Sequence, residues 1–224
     1  MEVFEKLLLW IDPMKRTGPE AMAVDEWLLE TAVSPVLRIY RWDGDWASVG
    51  YFGKIEDARA AISDVRWVRR WTGGGTVDHR ADWTYTLVIP HTEKLATARG
   101  AESYRRIHAA LAEALTAEGI AVRMSVGEDE TGAALCFENP VSHDLVGEGG
   151  MKLAGAGQRR TRRGLLHQGS ALIPCDNIVS AERAERLAGI LATAWEKIDL
   201  EPDSEKIAEK TAARYSQEMW TEKR

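Results

Sequence analysis

The sequence predicts an α+β fold with a mixed, largely antiparallel sheet. Runs of β-branched and aromatic residues and stretches with helical apolar spacing both recur along the chain, without the regular strand-helix alternation of a parallel α/β sheet. No repeat, low-complexity tract or Pro/Gly/Ser-rich linker divides the 224 residues, so one domain over residues 1–224 is expected.

Residues 7–11 read as a strand, and residues 19–31 as a helix that carries Met22, Leu28, Leu29 and Ala32 close to one face. Residues 36–42 and 47–52 read as strands around Asp43-Gly44-Asp45, a hairpin signal. Residues 67–71 and 83–89 read as strands that flank a glycine-rich turn, with Pro90 ending the second. Tyr104, Ile107, Leu111 and Leu115 recur at helical spacing in residues 101–118, and Gly119 supplies a stop. Strands are expected again at residues 144–146, 151–154 and 165–173, the first two joined by a tight turn through Gly147, Gly149 and Gly150. Two helices close the chain, residues 181–195 with Leu187, Ile190, Leu191 and Ala194 on one stripe, and residues 204–220 from a cap at Asp203 or Ser204.

Composition excludes several classes. At 45% hydrophobic and 29% charged the chain has the balance of a globular protein, and no stretch approaches the roughly 20 apolar residues of a membrane-spanning helix. The N-terminus lacks the basic region and apolar core of a secretory signal, so a cytoplasmic location is expected, with no membrane partner. The 29 basic residues against 35 acidic ones give a net charge of −6, which argues against nucleic acid as a partner. The run Arg159, Arg160, Arg162 and Arg163 reads as a solvated loop or a docking patch. Cys136 and Cys175 are too few for a disulfide framework and are expected to be free thiols; metal-type spacing is absent, and no metal site is expected.

Two segments look chemical. In Arg69-Arg70-Trp71-Thr72-Gly73-Gly74-Gly75-Thr76-Val77-Asp78-His79, three glycines remove the Cβ atoms that keep a ligand from backbone N–H groups. The segment lacks the Gly-Lys-Ser/Thr of a phosphate loop and the strand-to-helix switch of a dinucleotide site. It reads either as a ligand cradle or as a flexible hairpin with solvated arginines. The second segment runs from Cys136-Phe-Glu-Asn-Pro140 through Ser142-His143-Asp144 and Met151-Lys152-Leu153-Ala154-Gly155-Ala156-Gly157-Gln158 to His167-Gln168-Gly169-Ser170. Cys136 reads as a buried small hydrophobe or, with a cation close by in the fold, as a thiolate nucleophile. Lys152 reads as a solvent-facing strand lysine or as a fixed ammonium that polarises a carbonyl or holds a phosphate.

Together these segments resemble the lipoate-protein ligase and cysteine-dependent octanoyltransferase family, relatives of biotin protein ligases. Ala21-Met-Ala-Val-Asp25-Glu26-Trp-Leu-Leu is similar to its N-terminal helix, Leu37-Arg-Ile-Tyr-Arg-Trp42 with Ser48-Val-Gly-Tyr-Phe52 to its first hairpin, and Glu218-Met-Trp220 to its C-terminal helix. The resemblance implies a biotin protein ligase-like catalytic fold, a mixed sheet flanked by helices, and transfer of an octanoyl or lipoyl group to a carrier lysine. Cys136-Phe-Glu-Asn-Pro before Asp144-Leu-Val resembles the segment in which cysteine-dependent octanoyltransferases carry their nucleophile. Where many ligases follow the histidine of the glycine motif with Asp and then Gly-Asn, this chain has His79-Arg80-Ala81-Asp82-Trp83, which weakens an ATP site; the complete triple glycine is more ligase-like.

The resemblance therefore implies Cys136 as nucleophile and Lys152 as carbonyl-binding cation, with Arg70, Gly73, Gly74, Gly75 and His79 at the acyl chain and mouth, and Gly155, Ala156 and His167 on the opposite wall. Implied partners are acyl carrier protein as donor and lipoyl domains or the glycine-cleavage H protein as carriers, with no cofactor. The alternative is an ATP- and magnesium-dependent ligase that forms lipoyl-adenylate. Cys175 is the weaker thiol candidate.

Overall fold

Strands that read as unbroken apolar runs are covered on both faces. The computed structural model describes residues 3–126, 140–173 and 175–223. Its main sheet has eight strands in the order β11-β1-β2-β6-β10-β9-β8-β7, of which the central ones are β1 (Phe4–Arg16), β2 (Val36–Trp42), β6 (Trp83–Pro90), β10 (Gly164–Ala171) and β9 (Lys152–Arg160). β1 pairs in parallel with β2 and with β11 (Ala192–Lys197), and the other five pairings are antiparallel, including those of β8 (Leu145–Val146) with β9 and with β7 (Arg123–Met124). The expected mixed, largely antiparallel sheet flanked by helices is present.

Alternation along each strand feeds two cores. Leu7 and Leu9 of β1, Leu37 and Ile39 of β2, and Tyr85, Leu87 and Ile89 of β6 pack under α4 (Gly100–Ala117) and α5 (Asn177–Leu191). Trp10, Val36, Tyr40 and Val88 face the other way, against α1 (Gly18–Thr31) and Ile207 of α6 (Ser204–Lys210). Helix α1 starts where the carboxylate of Glu20 accepts from the N–H and hydroxyl of Thr17, with Pro19 in the first turn. The second core also buries a charge cluster. Arg38 donates to Asp12 at 2.8 Å and to Asp25 at 2.6 Å, with all three side chains fully buried, and its guanidinium lies 4.1 Å from the Tyr40 ring centroid.

Several expectations are corrected. Asp43-Gly44-Asp45 does not turn a hairpin: β2 bonds to β1 and β6 on its two edges and has none left, so β3 (Trp46–Val49) crosses to a second sheet of order β4-β3-β5. The strands on either side of the glycine-rich turn do not pair either, because β4 (Arg66–Arg69) lies in the small sheet and β6 in the main one, with the two-residue β5 (Val77–Asp78) between them. The helix expected to reach residue 195 ends at Leu191; Ala192–Lys197 is the edge strand β11, where Trp195 pairs with Leu7. The expected final helix is broken into α6, a π-helical turn Thr211–Tyr215 and α7 (Glu218–Thr221). Helices α2 (Ile55–Ala61) and α3 (Lys94–Thr97) are short and lack a long apolar stripe, so no helical spacing marks them in the sequence.

Removing the guanidinium from the charge cluster leaves two buried carboxylates without their cation. Arg38→Leu is therefore expected to destabilise the protein by about 3–5 kcal/mol in urea unfolding, more than a surface arginine such as Arg162→Leu.

Candidate active site

A slot opens where the small sheet leans on the main one. One wall is backbone, Gly155, Ala156 and Gly157 of β9, beside Gln168 and Ser170 of β10; the other is Arg70, Gly74, Val77 and His79; Met22 of α1, Tyr40 and Trp42 supply apolar surface to a narrow slot. Backbone meets backbone here because side chains are missing. A Cβ on Gly157 would lie 2.3 Å from the Gly73 carbonyl oxygen, and one on Gly50 would lie 1.9 Å from that of Gly74. Gly74 has φ +97°, open to glycine alone at little cost, whereas a Cβ on Gly73 would meet nothing within 4 Å.

Arg70 braces this loop. Its Nη2 donates to the carbonyls of Gly75 at 2.8 Å and Gly73 at 3.3 Å, and its Nη1 to the backbone carbonyl and hydroxyl of Ser48. The loop is thus a held cradle, unlike the flexible hairpin that the sequence also allowed. His79 is fixed from three sides: Nδ1 lies 2.8 Å from Asp82 Oδ2, Nε2 lies 2.6 Å from Ser48 Oγ, and the ring stacks on Trp42 with centroids 4.1 Å apart. Asp82 also accepts from the hydroxyls of Ser170 and Thr84.

Lys152 is not a solvent-facing lysine. It is 3% exposed, and its Nζ lies 2.6 Å from Oδ2 of the fully buried Asp144. A Cβ on Gly155 would fall 2.5 Å from Lys152 Cε and 2.7 Å from Nζ, so the lysine runs through the space that this slot glycine leaves empty. Asp144 also accepts from the Val141 N–H at 2.8 Å and from the Tyr104 hydroxyl, and that hydroxyl accepts from the Ala156 N–H at 2.8 Å.

His167 sits on the other face of β10 from Gln168 and Ser170, which line the slot. Fully buried, it contacts Gln158 through Nδ1 at 2.9 Å and the Tyr85 hydroxyl through Nε2 at 3.2 Å. It therefore backs the wall rather than lining it. His108 packs against Tyr104, with centroids 4.1 Å apart, and donates from Nδ1 to the His143 carbonyl at 2.7 Å. Burial lowers the pKa of His108 to about 4 and pushes that of His167 well down, so both imidazoles are neutral at physiological pH.

Of the expected site residues, Arg70, Gly74, His79, Gly155 and Ala156 meet at the slot, Gly73 and Gly75 hold its loop, and Lys152 packs against Gly155 without itself lining the slot. Cys136 lies outside the described residues. Cys175 is exposed, near Arg80 and Asp82. Nothing in the sequence gives Asp144 or Tyr104 a site role: Asp144 opens a strand pattern, and Tyr104 sits on an apolar helix stripe. The glycine turn between residues 147 and 150 was the available signal for Asp144, since a hairpin there brings residue 144 back beside residue 152.

A family model described as the lipoyl protein ligase A/B catalytic domain matches residues 17–218. The chain belongs to this family. Similar relatives include the octanoyltransferase LipM of Symbiobacterium thermophilum, 32% identical over 181 residues that cover 74% of this chain and 65% of the relative. That of Carboxydothermus hydrogenoformans is 35% identical over 178 residues, covering 75% and 65%. The chain thus aligns with 65% of the length of both LipM proteins. Among solved structures, the bipartite lipoate protein ligase of Thermoplasma acidophilum superposes with a TM-score of 0.69 at 18% identity, covering 99% of this chain and 97% of that one. A lipoate-protein ligase A bound with ATP gives 0.70 at 21% identity, covering 99% of each chain. These likenesses fix the family fold. Among the described residues no helix is long and apolar enough to cross a membrane, and no group of three His, Cys, Asp or Glu is placed to hold a metal ion.

Two outcomes follow for this family member. Gly155→Ala is expected to displace Lys152 from Asp144, at a cost of about 1–3 kcal/mol in urea unfolding, and to open the lysine amine to chemical labelling. For His108, the unfolded chain binds a proton near pH 6.5 and the folded chain only near 4. Its contribution is present above about pH 6.5 and is lost as the pH falls through about 4, about 3 kcal/mol in all. Unfolding midpoints measured across that window should fall with pH in the wild type and less steeply in His108→Leu.

Proposed function

We propose that this protein is an octanoyltransferase that moves an eight-carbon acyl group from a thioester donor to the lysine of a lipoyl domain through a Cys136 thioester, acting as one catalytic domain over residues 1–224. The observation that carries the proposal is the buried lysine at the wall of an apolar slot, in a chain 32% and 35% identical to two octanoyltransferases LipM. The transferase name of these relatives supports a transfer reading over a ligase one, and the thioester donor is part of the proposal.

In the proposed cycle the Cys136 thiolate attacks the carbonyl carbon of octanoyl-acyl carrier protein. The carbonyl π pair moves onto oxygen beside the Lys152 ammonium, and collapse expels the carrier thiolate and leaves octanoyl-Cys136. The neutral amine of the acceptor lysine, on a lipoyl domain or the glycine-cleavage H protein, then attacks this acyl-enzyme. The Cys136 thiolate leaves, the amine proton passes to solvent, which returns one to the carrier thiolate expelled earlier, and the amide forms. Thioester to thioester is nearly neutral and thioester to amide is downhill, so the cycle needs no nucleotide. Burial at roughly 0.8 kcal/mol per methylene holds the acyl chain among Met22, Tyr40 and Trp42. We place the reaction in the cytoplasm, where both carriers are met.

The residues present do not favour an ATP site. Both terminal nitrogens of Arg70 donate to protein oxygens, and both oxygens of Asp144 accept from protein donors. Incubation with octanoyl-acyl carrier protein, followed by intact-mass analysis, is expected to show an octanoyl adduct on the wild type and none on Cys136→Ala. Lipoate transfer that requires ATP and magnesium and survives Cys136→Ala would replace this reading with the ligase.

A further inference from the structure

We propose that Tyr104 is a positioning residue for Lys152: through Asp144 its hydroxyl holds the ammonium at the slot wall. The inference rests on the transferase reading and assigns a role to a side chain that does not itself line the slot.

The geometry gives the tyrosine hydroxyl two jobs at once. It donates to Oδ1 of Asp144 and accepts from the N–H of Ala156, a slot residue, at 2.8 Å. Oδ2 of the same carboxylate takes Lys152 Nζ at 2.6 Å and the Val141 N–H at 2.8 Å. The carboxylate is therefore divided, one oxygen for the tyrosine and the other for the lysine and the turn before it. Without the hydroxyl, Asp144 keeps only the Val141 N–H and the lysine, and it can turn about that bond to take the ammonium on both oxygens, which draws Nζ away from the place where an acyl carbonyl would meet it. A misplacement of this size at a charge-stabilising group costs rate while leaving the apolar grip on the acyl chain intact.

The ring is built for that task. Helix α4 carries it, His108 packs against it at 4.1 Å, and His108 in turn donates to the carbonyl of His143, the residue before Asp144. Helix, ring and turn thus form one unit around the carboxylate. A phenylalanine at this position would fill the same space, so the hydroxyl can be tested apart from the packing.

The test compares the wild type, Tyr104→Phe, Lys152→Ala and the double variant, following octanoyl adduct formation from octanoyl-acyl carrier protein by intact mass over seconds to hours. Tyr104→Phe is expected to slow acylation about tenfold or more with the half-saturating donor concentration within about twofold of wild type. In the Lys152→Ala background the same change is expected to add nothing, since the tyrosine acts through the lysine. Equal rates for Tyr104→Phe and wild type, or losses that add in the double variant, would overturn the proposal. A second readout needs no turnover: reductive methylation with peptide mass analysis should find the Lys152 amine protected in the wild type and modified faster in Tyr104→Phe, and unchanged protection would overturn the proposal equally. If the wild type forms no adduct, the transferase reading has failed, and the labelling alone decides whether Tyr104 holds Lys152.

Discussion

A buried ion pair sets the terms for the rest of this site. Asp144 and Lys152 are taken almost wholly out of water, and such a pair is tolerated only where further hydrogen bonds complete the carboxylate's coordination. The fold meets that demand from three directions: the turn supplies the Val141 N–H, α4 supplies Tyr104, and β9 supplies the lysine itself. Two of these elements are tied to the main sheet, β9 through its pairing with β10 and α4 through its seam of Ile107, Leu111 and Leu115 in the core beneath. The pair is thus a load shared among elements, and a shift in any of them is felt at Nζ.

The slot beside it exists because three backbone segments approach without side chains between them. Gly157 admits the Gly73 carbonyl, Gly50 admits that of Gly74, and Gly155 admits the lysine chain. Loops of this composition are usually soft. Here Arg70 gathers the carbonyls of Gly73 and Gly75 onto one guanidinium that is also bonded to Ser48 of β3, so the cradle inherits the rigidity of the small sheet. His79 completes the link, since Ser48 and Asp82 hold its two nitrogens and Trp42 covers its face. In this way the second sheet anchors the glycine loop against the larger one.

The sequence carried the local structure better than the pairing. Helical spacing marked α1 and α4 to within a residue, and β2 was legible to its ends, because burial on a helix stripe or on both faces of a strand is written in residue type. Which strand pairs with which is a long-range choice. The Asp43-Gly44-Asp45 turn has hairpin chemistry, yet β2 is consumed by two other partners, and no local signal records that. Trp195 was misplaced for a related reason: a short, mostly exposed edge strand that follows a helix directly continues its apolar pattern by chance. At the site, the glycine triplet and Lys152 were legible as chemistry, while Asp144 and Tyr104 were not. Their roles come from meeting one another, and Tyr104 occupies a helix position that an apolar residue would fill equally well by pattern.

The electrostatic consequence bears on what the slot can do. His108 and His167 lie behind its wall and are held neutral by burial, so neither adds positive charge beneath β9. Arg70 is cationic, but its terminal donors are committed to the loop that it braces. The lysine ammonium is held by the Asp144 carboxylate at 2.6 Å and packs against Gly155, a residue of the slot wall. In the proposed transfer this is the arrangement that favours charge developing on a carbonyl oxygen over charge carried by a bound substrate: a cation already desolvated and held in place by its carboxylate needs little rearrangement at the moment of attack. The carboxylate that orients the lysine also restrains it, and how far Nζ can turn is set by where the second oxygen of Asp144 is pinned.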